Sequence, residues 1–288
     1  MPSATANEIT IEYDTFGDPA SPPVLLIMGL GAQMTLWEPA FCQGIADRGY
    51  FVIRFDNRDV GLSSWLDDLG NLELAEIITG AVGAPYSLVD MASDAAGLLD
   101  ALGIESAHIV GASMGGMIAQ SFAIAFPEKT RSLTSIMSTT GNPAVGQSSP
   151  EALGALLGPP PSNRDEAIER GVLLARVIGS PGYELDEASI RARAASDYDR
   201  AFHPAGTVRQ VAAVVAQPDR TDDLGKVRAP TLVIHGADDP LVDQSGGRAT
   251  ADAIPGATLE IVPGMGHDLP PELWRSVTDS LVANFVRA

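Results

Sequence analysis

The sequence is poor in cysteine, in positive charge and in long apolar runs. Cys42 is the single cysteine among 288 residues, so an intramolecular disulfide is excluded and nothing indicates an oxidising compartment. No apolar run approaches the roughly 18 residues of a membrane-spanning helix. The N-terminal residues also lack the charged and apolar regions of a signal peptide. We therefore expect a soluble, cytoplasmic protein that does not associate with membranes.

The scarcity of positive charge narrows the classes of partner. Eighteen Lys and Arg residues stand against 37 Asp and Glu residues, which gives a net charge of −19. A chain this acidic repels nucleic acid and anionic lipid surfaces. The sequence thus predicts neither a nucleic-acid partner nor a membrane partner, and it leaves open whether the protein is a monomer or a homodimer.

The chain does contain a regular alternation of short apolar runs and amphipathic segments. Strand alternating with helix indicates a parallel sheet with helices on both faces, hence the α/β class. Strands are predicted at residues 8–16, 24–28, 50–55, 108–110, 133–137, 231–234 and 258–262. Helices are predicted at residues 37–48, 88–102, 114–126, 165–178, 187–200, 205–216, 247–254 and 271–286.

The alternation stops in the middle of the chain, where no strand-like run occurs between Asn142 and Asp223. Helical patterns and a proline cluster fill this stretch before the strand–helix alternation resumes. We predict a core domain formed by residues 1–141 and 224–288. Residues 142–223 are predicted to form a helical cap, which commonly covers the functional edge of such a sheet.

A candidate nucleophile lies in the pentapeptide 111–115, which fits the pattern G-x-S-x-G around Ser113. A strand is predicted before it and a helix after it. That context places the serine on a sharp turn that exposes its hydroxyl above the sheet. The N-terminus of the following helix favours negative charge that develops beside the serine. A glycine-rich turn with a capping serine is the structural alternative.

A serine hydroxyl needs a general base, and the base needs a group that fixes its tautomer. On this type of sheet the chain order is serine, acid, histidine. Of the four histidines, His267 alone follows a plausible acid, in a glycine-rich loop after the last predicted strand. His108 is expected to pack in the core, His203 lies in the helical insertion, and His235 lies at a strand end.

Two carboxylates, Asp238 and Asp239, follow the strand at 231–234. Asp239 is the better candidate because it comes later in the loop and Pro240 restricts its backbone. Asp238 is then expected to bond nearby backbone N–H groups as a turn residue. No Asp or Glu occurs between Ser132 and Pro150, which removes a competing acid after the preceding strand.

An oxyanion hole requires two backbone N–H donors near the nucleophile. Met114, the residue after the serine, is one candidate. Leu30, in the glycine-containing loop that ends an early strand, is the other. Met117 and Met265 are candidates to line a substrate pocket, although methionine is more often core filler.

On these motifs the chain resembles the α/β-hydrolase family over nearly its full length. Within the family it is similar to the serine carboxylesterase branch that contains aclacinomycin methylesterase. The segments that carry the resemblance are 28–31, 55–63, 111–115, 235–240 and 264–267. The resemblance implies an eight-stranded, mostly parallel sheet with a helical cap inserted after the sixth strand. It also implies triad roles for Ser113, Asp239 and His267, and a structural role for Asp56 and Arg58 beside the nucleophile.

Together these features predict a cofactor-free and metal-free serine hydrolase that cleaves a small to medium, mainly apolar carboxylic ester. The same triad also serves perhydrolysis, haloperoxidase-like reactions, lactone opening and C–C hydrolysis, which the sequence does not separate. A sensor of small hydrophobic ligands on the same fold, without turnover, is a third hypothesis. The natural acyl and alcohol groups are not readable from the sequence, because fold alone does not define substrate.

Overall fold

Eight strands form one mostly parallel sheet in the computed structural model, which describes residues 2–288. The strands are β1 (Ser3–Ala6), β2 (Ile9–Phe16), β3 (Pro23–Ile27), β4 (Phe51–Phe55), β5 (Ala107–Ala112), β6 (Thr130–Ile136), β7 (Thr231–Gly236) and β8 (Thr258–Val262). They lie in the order β1-β2-β4-β3-β5-β6-β7-β8. Only the pairs β1–β2 and β2–β4 are antiparallel. The predicted fold class is confirmed.

Eleven α-helices connect and cover these strands in the described part of the chain. They are α1 (Pro39–Ala46), α2 (Leu74–Ile78), α3 (Leu88–Ala101), α4 (Met114–Ala125), α5 (Pro150–Leu156), α6 (Arg164–Ile178), α7 (Glu187–Arg200), α8 (Pro204–Val215), α9 (Thr221–Leu224), α10 (Ser245–Ala253) and α11 (Trp274–Phe285). Short 3-10 helices lie at Met34–Leu36, Asp67–Leu69, Pro127–Lys129 and Pro271–Leu273. Among residues 2–288 no helix is long and apolar enough to cross a bilayer.

Alternate residues of the central strands belong to two separate apolar clusters, one on each face of the sheet. In β3, Leu25 and Ile27 pack with α3 and α4, whereas Val24 and Leu26 pack with α1 and α11. Successive side chains of a strand point to opposite faces. The sequence of a strand that is buried on both faces is therefore a continuous apolar run. This explains the run at 24–28 and fixes which helices cover each face.

The first strand escaped prediction because β1 is only four residues long and has low intrinsic strand propensity. It pairs with β2 through a two-residue turn in which Asn7 and Glu8 have φ of 49° and 67°. Two consecutive positive φ values characterise the tight hairpin turn that asparagine favours. Glu8 therefore belongs to the turn, and the strand predicted to begin there begins at Ile9 instead.

Two predicted helices begin later than expected, and a 3-10 helix lies shortly before each of them. The helix predicted from residue 37 starts at Pro39, and the helix predicted from residue 271 starts at Trp274. Proline is favoured at the first helical position, since its missing N–H has no intrahelical acceptor there. Three short helices, α2, α5 and α9, carry too few residues for a periodic pattern and were not predicted.

The segment between β6 and β7 contains α5 to α9 and, in the described chain, no strand. We refer to residues 142–223 as the insertion. The division of the chain into a core domain and a cap domain stays a prediction. The parallel strands β3, β5, β7 and β8 end at the same edge of the sheet, and the loops that follow them carry the candidate catalytic residues.

Candidate active site

Ser113 lies at the turn between β5 and α4 with φ 56° and ψ −123°. A residue other than glycine held in such a conformation costs about 1–3 kcal/mol and persists only where its surroundings enforce it. Two hydrogen bonds do so here. The Ser113 amide donates to the carbonyl of Ile136 at 2.9 Å, and the hydroxyl of Ser138 donates to the carbonyl of Ser113 at 2.8 Å. Both partners belong to β6 or follow it directly.

The glycines that flank Ser113 are required by close backbone packing. A Cβ at Gly111 would lie 2.0 Å from the carbonyl oxygen of Gly115, and a Cβ at Gly115 would lie 2.1 Å from the carbonyl oxygen of Ile27. No side chain fits at such distances. The G-x-S-x-G pattern therefore allows α4 to start directly against β3 and β5.

The imidazole of His267 lies between Ser113 and Asp239. Its Nε2 is 2.9 Å from Oγ of Ser113, and its Nδ1 is 2.7 Å from Oδ2 of Asp239. An ionised carboxylate can only accept a hydrogen bond. Nδ1 therefore carries the proton, and Nε2 is left to accept from the serine hydroxyl. The structure thus brings together the three side chains that the sequence selected.

Asp239 is buried, and each of its carboxylate oxygens has a defined partner. Oδ1 accepts from the amides of Leu241 and Val242, both at 2.9 Å. Burial opposes ionisation of the carboxyl, but the charge of His267 and hydrogen bonds from His235, His267 and the Val242 amide outweigh burial. Together they hold the pKa of Asp239 well below its ordinary value.

The neighbouring carboxylate, Asp238, bonds a backbone amide instead of the imidazole. Its Oδ2 accepts from the amide of Gly264 at 2.9 Å, so it bonds a backbone N–H as a turn residue was expected to do. Gly264 begins the loop that carries His267. Asp238 therefore links the loop after β7 to the loop that carries His267, without contacting the imidazole.

The other three histidines lie outside the Ser113–His267 pair. His108 is buried in β5, where its Nδ1 is 2.8 Å from Oγ of Ser132 and its ring stacks on Phe285. His203 precedes α8 and stacks on Trp65. His235 lies in β7, with its Nε2 3.5 Å from Oδ2 of Asp239. Sequence reasoning missed this contact of His235, which only the fold reveals.

The loop after β3 approaches Ser113 closely. A Cβ at Gly29 would lie 3.2 Å from Cβ of Ser113, which places the Leu30 peptide beside the serine. Within residues 2–288 the Leu30 amide donates to no protein acceptor. Met114 is the first residue of α4, where amides have no intrahelical acceptor. Their assignment as oxyanion donors stays a prediction.

Residues 56–58, which follow β4, hold the loop after β3 in place. Oδ1 of Asp56 accepts from the amide of Met34, and Nδ2 of Asn57 donates to the carbonyl of Met28, each at 2.8 Å. Arg58 forms a buried ion pair with Asp94, with Nε 2.6 Å from Oδ2. Asp56 therefore contacts the loop directly, whereas Arg58 anchors the segment to α3.

Contacts from the insertion to the histidine loop were not foreseen from the sequence. The amide of His267 donates to the carbonyl of Ile178 at 2.7 Å, and the amide of Gly266 donates to Oγ of Ser180 at 2.9 Å. The amide of Gly182 donates to the carbonyl of Gly264 at 2.9 Å. The segment that follows α6 thus holds the loop on which the imidazole sits.

Met117 and Met265, the predicted pocket residues, are both buried in apolar clusters, Met117 with α3 and Met265 on the opposite face. A role in substrate binding stays a prediction for both. Within residues 2–288 no three His, Cys, Asp or Glu side chains cluster as metal ligands would.

Comparison with known proteins shows the family of this chain. The model of the alpha/beta hydrolase fold matches residues 22–272, and the chain belongs to that family. It is similar to rhodomycin D methylesterase DauP of Streptomyces sp. (strain C5), with 32% identity over 92% of this chain and 91% of that one. Rhodomycin D methylesterase DnrP of Streptomyces peucetius is 30% identical over the same shares.

A solved structure agrees on the fold. The enol-lactonase from Burkholderia xenovorans LB400 superimposes with a TM-score of 0.76 at 23% identity, with all of both chains covered. At this identity the likeness shows the architecture alone. The chain is therefore an α/β hydrolase, and the proteins that it resembles include two methylesterases.

Proposed function

We propose that the protein is a serine hydrolase that cleaves a carboxylic ester through an acyl-enzyme. The observation that carries the proposal is the hydrogen-bonded row of Ser113, His267 and Asp239 at 2.9 and 2.7 Å. A nucleophile, a base and an orienting acid in this geometry define nucleophilic catalysis by serine. The rhodomycin D methylesterases that resemble this chain support the ester class.

In the proposed reaction, Oγ of Ser113 attacks the ester carbonyl while Nε2 of His267 takes the hydroxyl proton. The charge on the tetrahedral oxygen is stabilised by the amides of Leu30 and Met114. His267 then gives its proton to the departing alkoxide, and the alcohol leaves. Water attacks the acyl-enzyme with His267 as base, which releases the carboxylic acid and restores Ser113. Asp239 stabilises the imidazolium at each of these steps.

The proposed substrate is a small molecule of mainly apolar character. A net charge of −19 disfavours anionic esters and nucleic acid. The insertion contacts the loops that carry His267, so we propose that it acts as a cap that shapes the substrate site. The reaction needs no cofactor, because the triad supplies the nucleophile and the proton transfers.

The experiment is a substrate panel with wild type, Ser113→Ala and Ser121→Ala. Ser121 is a matched buried serine of α4 whose hydroxyl donates to the carbonyl of Met117. The panel contains a short-chain p-nitrophenyl ester, an apolar methyl ester, a lactone and a vinylogous 1,5-diketone. We expect turnover of the esters by wild type and Ser121→Ala and none by Ser113→Ala.

Other outcomes would indicate a different reaction or a different class of protein. Faster turnover of the lactone or cleavage of the diketone would retain the triad and change the substrate class. Peroxide-dependent halogenation would indicate perhydrolysis. Saturable ligand binding without any turnover by the folded wild type would overturn the proposal in favour of a sensor.

A further inference from the structure

The loop that carries Leu30 rests on a buried side chain of the insertion. The amide of Gly31 donates to Oε1 of Gln210 at 2.8 Å, across 179 positions of sequence. Gln210, in α8, is fully buried, and its Nε2 donates to the carbonyl of Arg58 at 2.7 Å. Both ends of the Gln210 amide are therefore used, and both attach α8 to the segments beside the nucleophile.

The loop that carries Leu30 is a tight turn, and its internal hydrogen bond is weak. The amide of Ala32 donates to the carbonyl of Gly29 at 3.4 Å, which is long for a hydrogen bond between backbone groups. Gly31 has φ +64°, and a Cβ there would lie 2.8 Å from Cγ2 of Thr207 in α8. The turn thus depends on external contacts, and α8 supplies one of them through Gln210.

The Leu30 peptide is held from both sides. On one side Nδ2 of Asn57 donates to the carbonyl of Met28 at 2.8 Å. On the other side Gln210 accepts from Gly31 at 2.8 Å. A donor of an oxyanion hole works by being fixed before the charge develops. The two contacts fix the backbone on either side of the Leu30 amide, which within residues 2–288 donates to no protein acceptor.

From these contacts we infer that Gln210 is a positioning residue that orients the Leu30 amide toward the tetrahedral oxygen. This inference rests on the proposed function and deepens it, because it makes the insertion part of the catalytic machinery. Gln210 acts through the Gly31 peptide and touches no reacting atom. Its loss is expected to affect the transition state more than the bound ester.

The test compares Gln210→Met with Gln120→Met. Methionine has a similar shape to glutamine, but its thioether sulfur is only a weak acceptor for the Gly31 amide. Gln120 is a matched control, since it is a fully buried glutamine of α4 that bonds Ser135 and Arg220 rather than the loop. Two ligands are used: an alkyl trifluoromethyl ketone, which forms a tetrahedral adduct with the serine, and the corresponding methyl ketone, which binds without a stable adduct.

For Gln210→Met we expect kcat to fall about 10- to 100-fold with little change in KM, because a small displacement of a catalytic group has an effect of this order. Affinity for the trifluoromethyl ketone should fall by a similar factor, while affinity for the methyl ketone is retained. Gln120→Met should keep both affinities. Where Gln210→Met does not fold, Gln210→Asn, which is polar but too short to reach Gly31, is measured in the same way.

Three results would overturn the inference. If the Gln210 variant matches Gln120→Met in kcat and in both affinities, the loop does not depend on Gln210. If it loses both ketones equally, α8 has only a general structural role. If wild type neither turns over esters nor binds the trifluoromethyl ketone more tightly than the methyl ketone, the proposed function itself fails, and the inference fails with it.

Discussion

Oδ2 of Asp239 lies 2.7 Å from Nδ1 of His267, although 28 positions of sequence separate the two residues. The contact is directional because the other oxygen, Oδ1, already accepts two amides of its own turn. The carboxylate therefore cannot rotate without breaking those bonds. This arrangement fixes the tautomer of the imidazole, and with it the direction of the hydrogen bond to Ser113.

The first prediction concerns Asp239→Asn. The amide oxygen will face the Leu241 and Val242 amides, since an NH₂ group there would meet two donors. The NH₂ group then faces Nδ1 and forces the proton onto Nε2, so the imidazole cannot accept from Ser113. We expect kcat to fall about 10⁴-fold, measured with a p-nitrophenyl ester.

Asp238→Asn is the matched control for this substitution. Its remaining carbonyl oxygen still accepts from the Gly264 amide, and it does not contact His267. Turnover should stay far closer to wild type. An equal loss of activity in both variants would contradict the assignment of Asp239 as the orienting acid.

The second prediction concerns the turn at Ser113. Gly111→Ala places a Cβ 2.0 Å from the carbonyl oxygen of Gly115, so α4 must move away from β5. We expect either a protein that does not fold or one with a strongly lowered Tm and no turnover. Gly154→Ala in α5 meets nothing within 4 Å and should raise stability by about 0.5–1 kcal/mol. Thermal unfolding of both variants distinguishes backbone crowding from a general effect of added methyl groups.

The third prediction concerns the buried ion pair between Arg209 and Asp59, which joins α8 to the loop after β4. Nη2 of Arg209 is 2.7 Å from Oδ1 of Asp59, and both side chains are fully buried. Removal of one partner leaves an uncompensated buried charge, so Arg209→Met should lower the free energy of unfolding by about 3–5 kcal/mol.

Urea denaturation measures this loss. The control is Arg164→Met, which breaks an exposed pair with Asp199 and should have little effect, since exposed ion pairs contribute little. Similar midpoints for Arg209→Met and wild type would show that the pair does not stabilise the attachment of α8.

The fourth prediction concerns pH and His108. Burial, with a contribution from Arg131, lowers the pKa of His108 from 6.5 to about 4. Between these values the unfolded chain binds a proton that the folded protein does not. The free energy of unfolding should therefore fall as pH is lowered, by about 1.5 kcal/mol between pH 6.5 and 5 from this group.

Urea denaturation at several pH values tests this linkage. His108→Gln retains a hydrogen-bonding side chain but has no proton to gain. Its stability should depend less on pH than that of wild type over the same range. Parallel slopes for the two proteins would exclude His108 as a source of the acid sensitivity.

The sequence predicted those parts of the molecule whose determinants are local. An apolar run predicts a buried strand such as β3. A glycine pattern between a strand and a helix predicts the sharp turn at Ser113. The order of serine, acid and histidine then selected Asp239 and His267 from several candidates. These choices needed no knowledge of which side chains meet in space.

The contacts of the insertion could not be predicted in this way. Gln210 is one polar residue of a helix, and no local pattern shows that its amide meets Gly31. The same holds for Ser180 and the amide of Gly266. Such pairings depend on how the insertion packs over the sheet edge, which is set by tertiary contacts of high sequence separation. β1 was missed for a different reason, since its pairing with β2 compensates for weak strand propensity.

Labelling with a fluorophosphonate, followed by peptide mass mapping, tests directly whether Ser113 is an activated nucleophile. The reagent phosphonylates a serine only where a base activates it and an oxyanion site receives the charge. We expect one label, on Ser113, formed rapidly in wild type and lost in Ser113→Ala, with strongly slowed labelling in Asp239→Asn. A label on another serine, or no label on the folded protein, would contradict it.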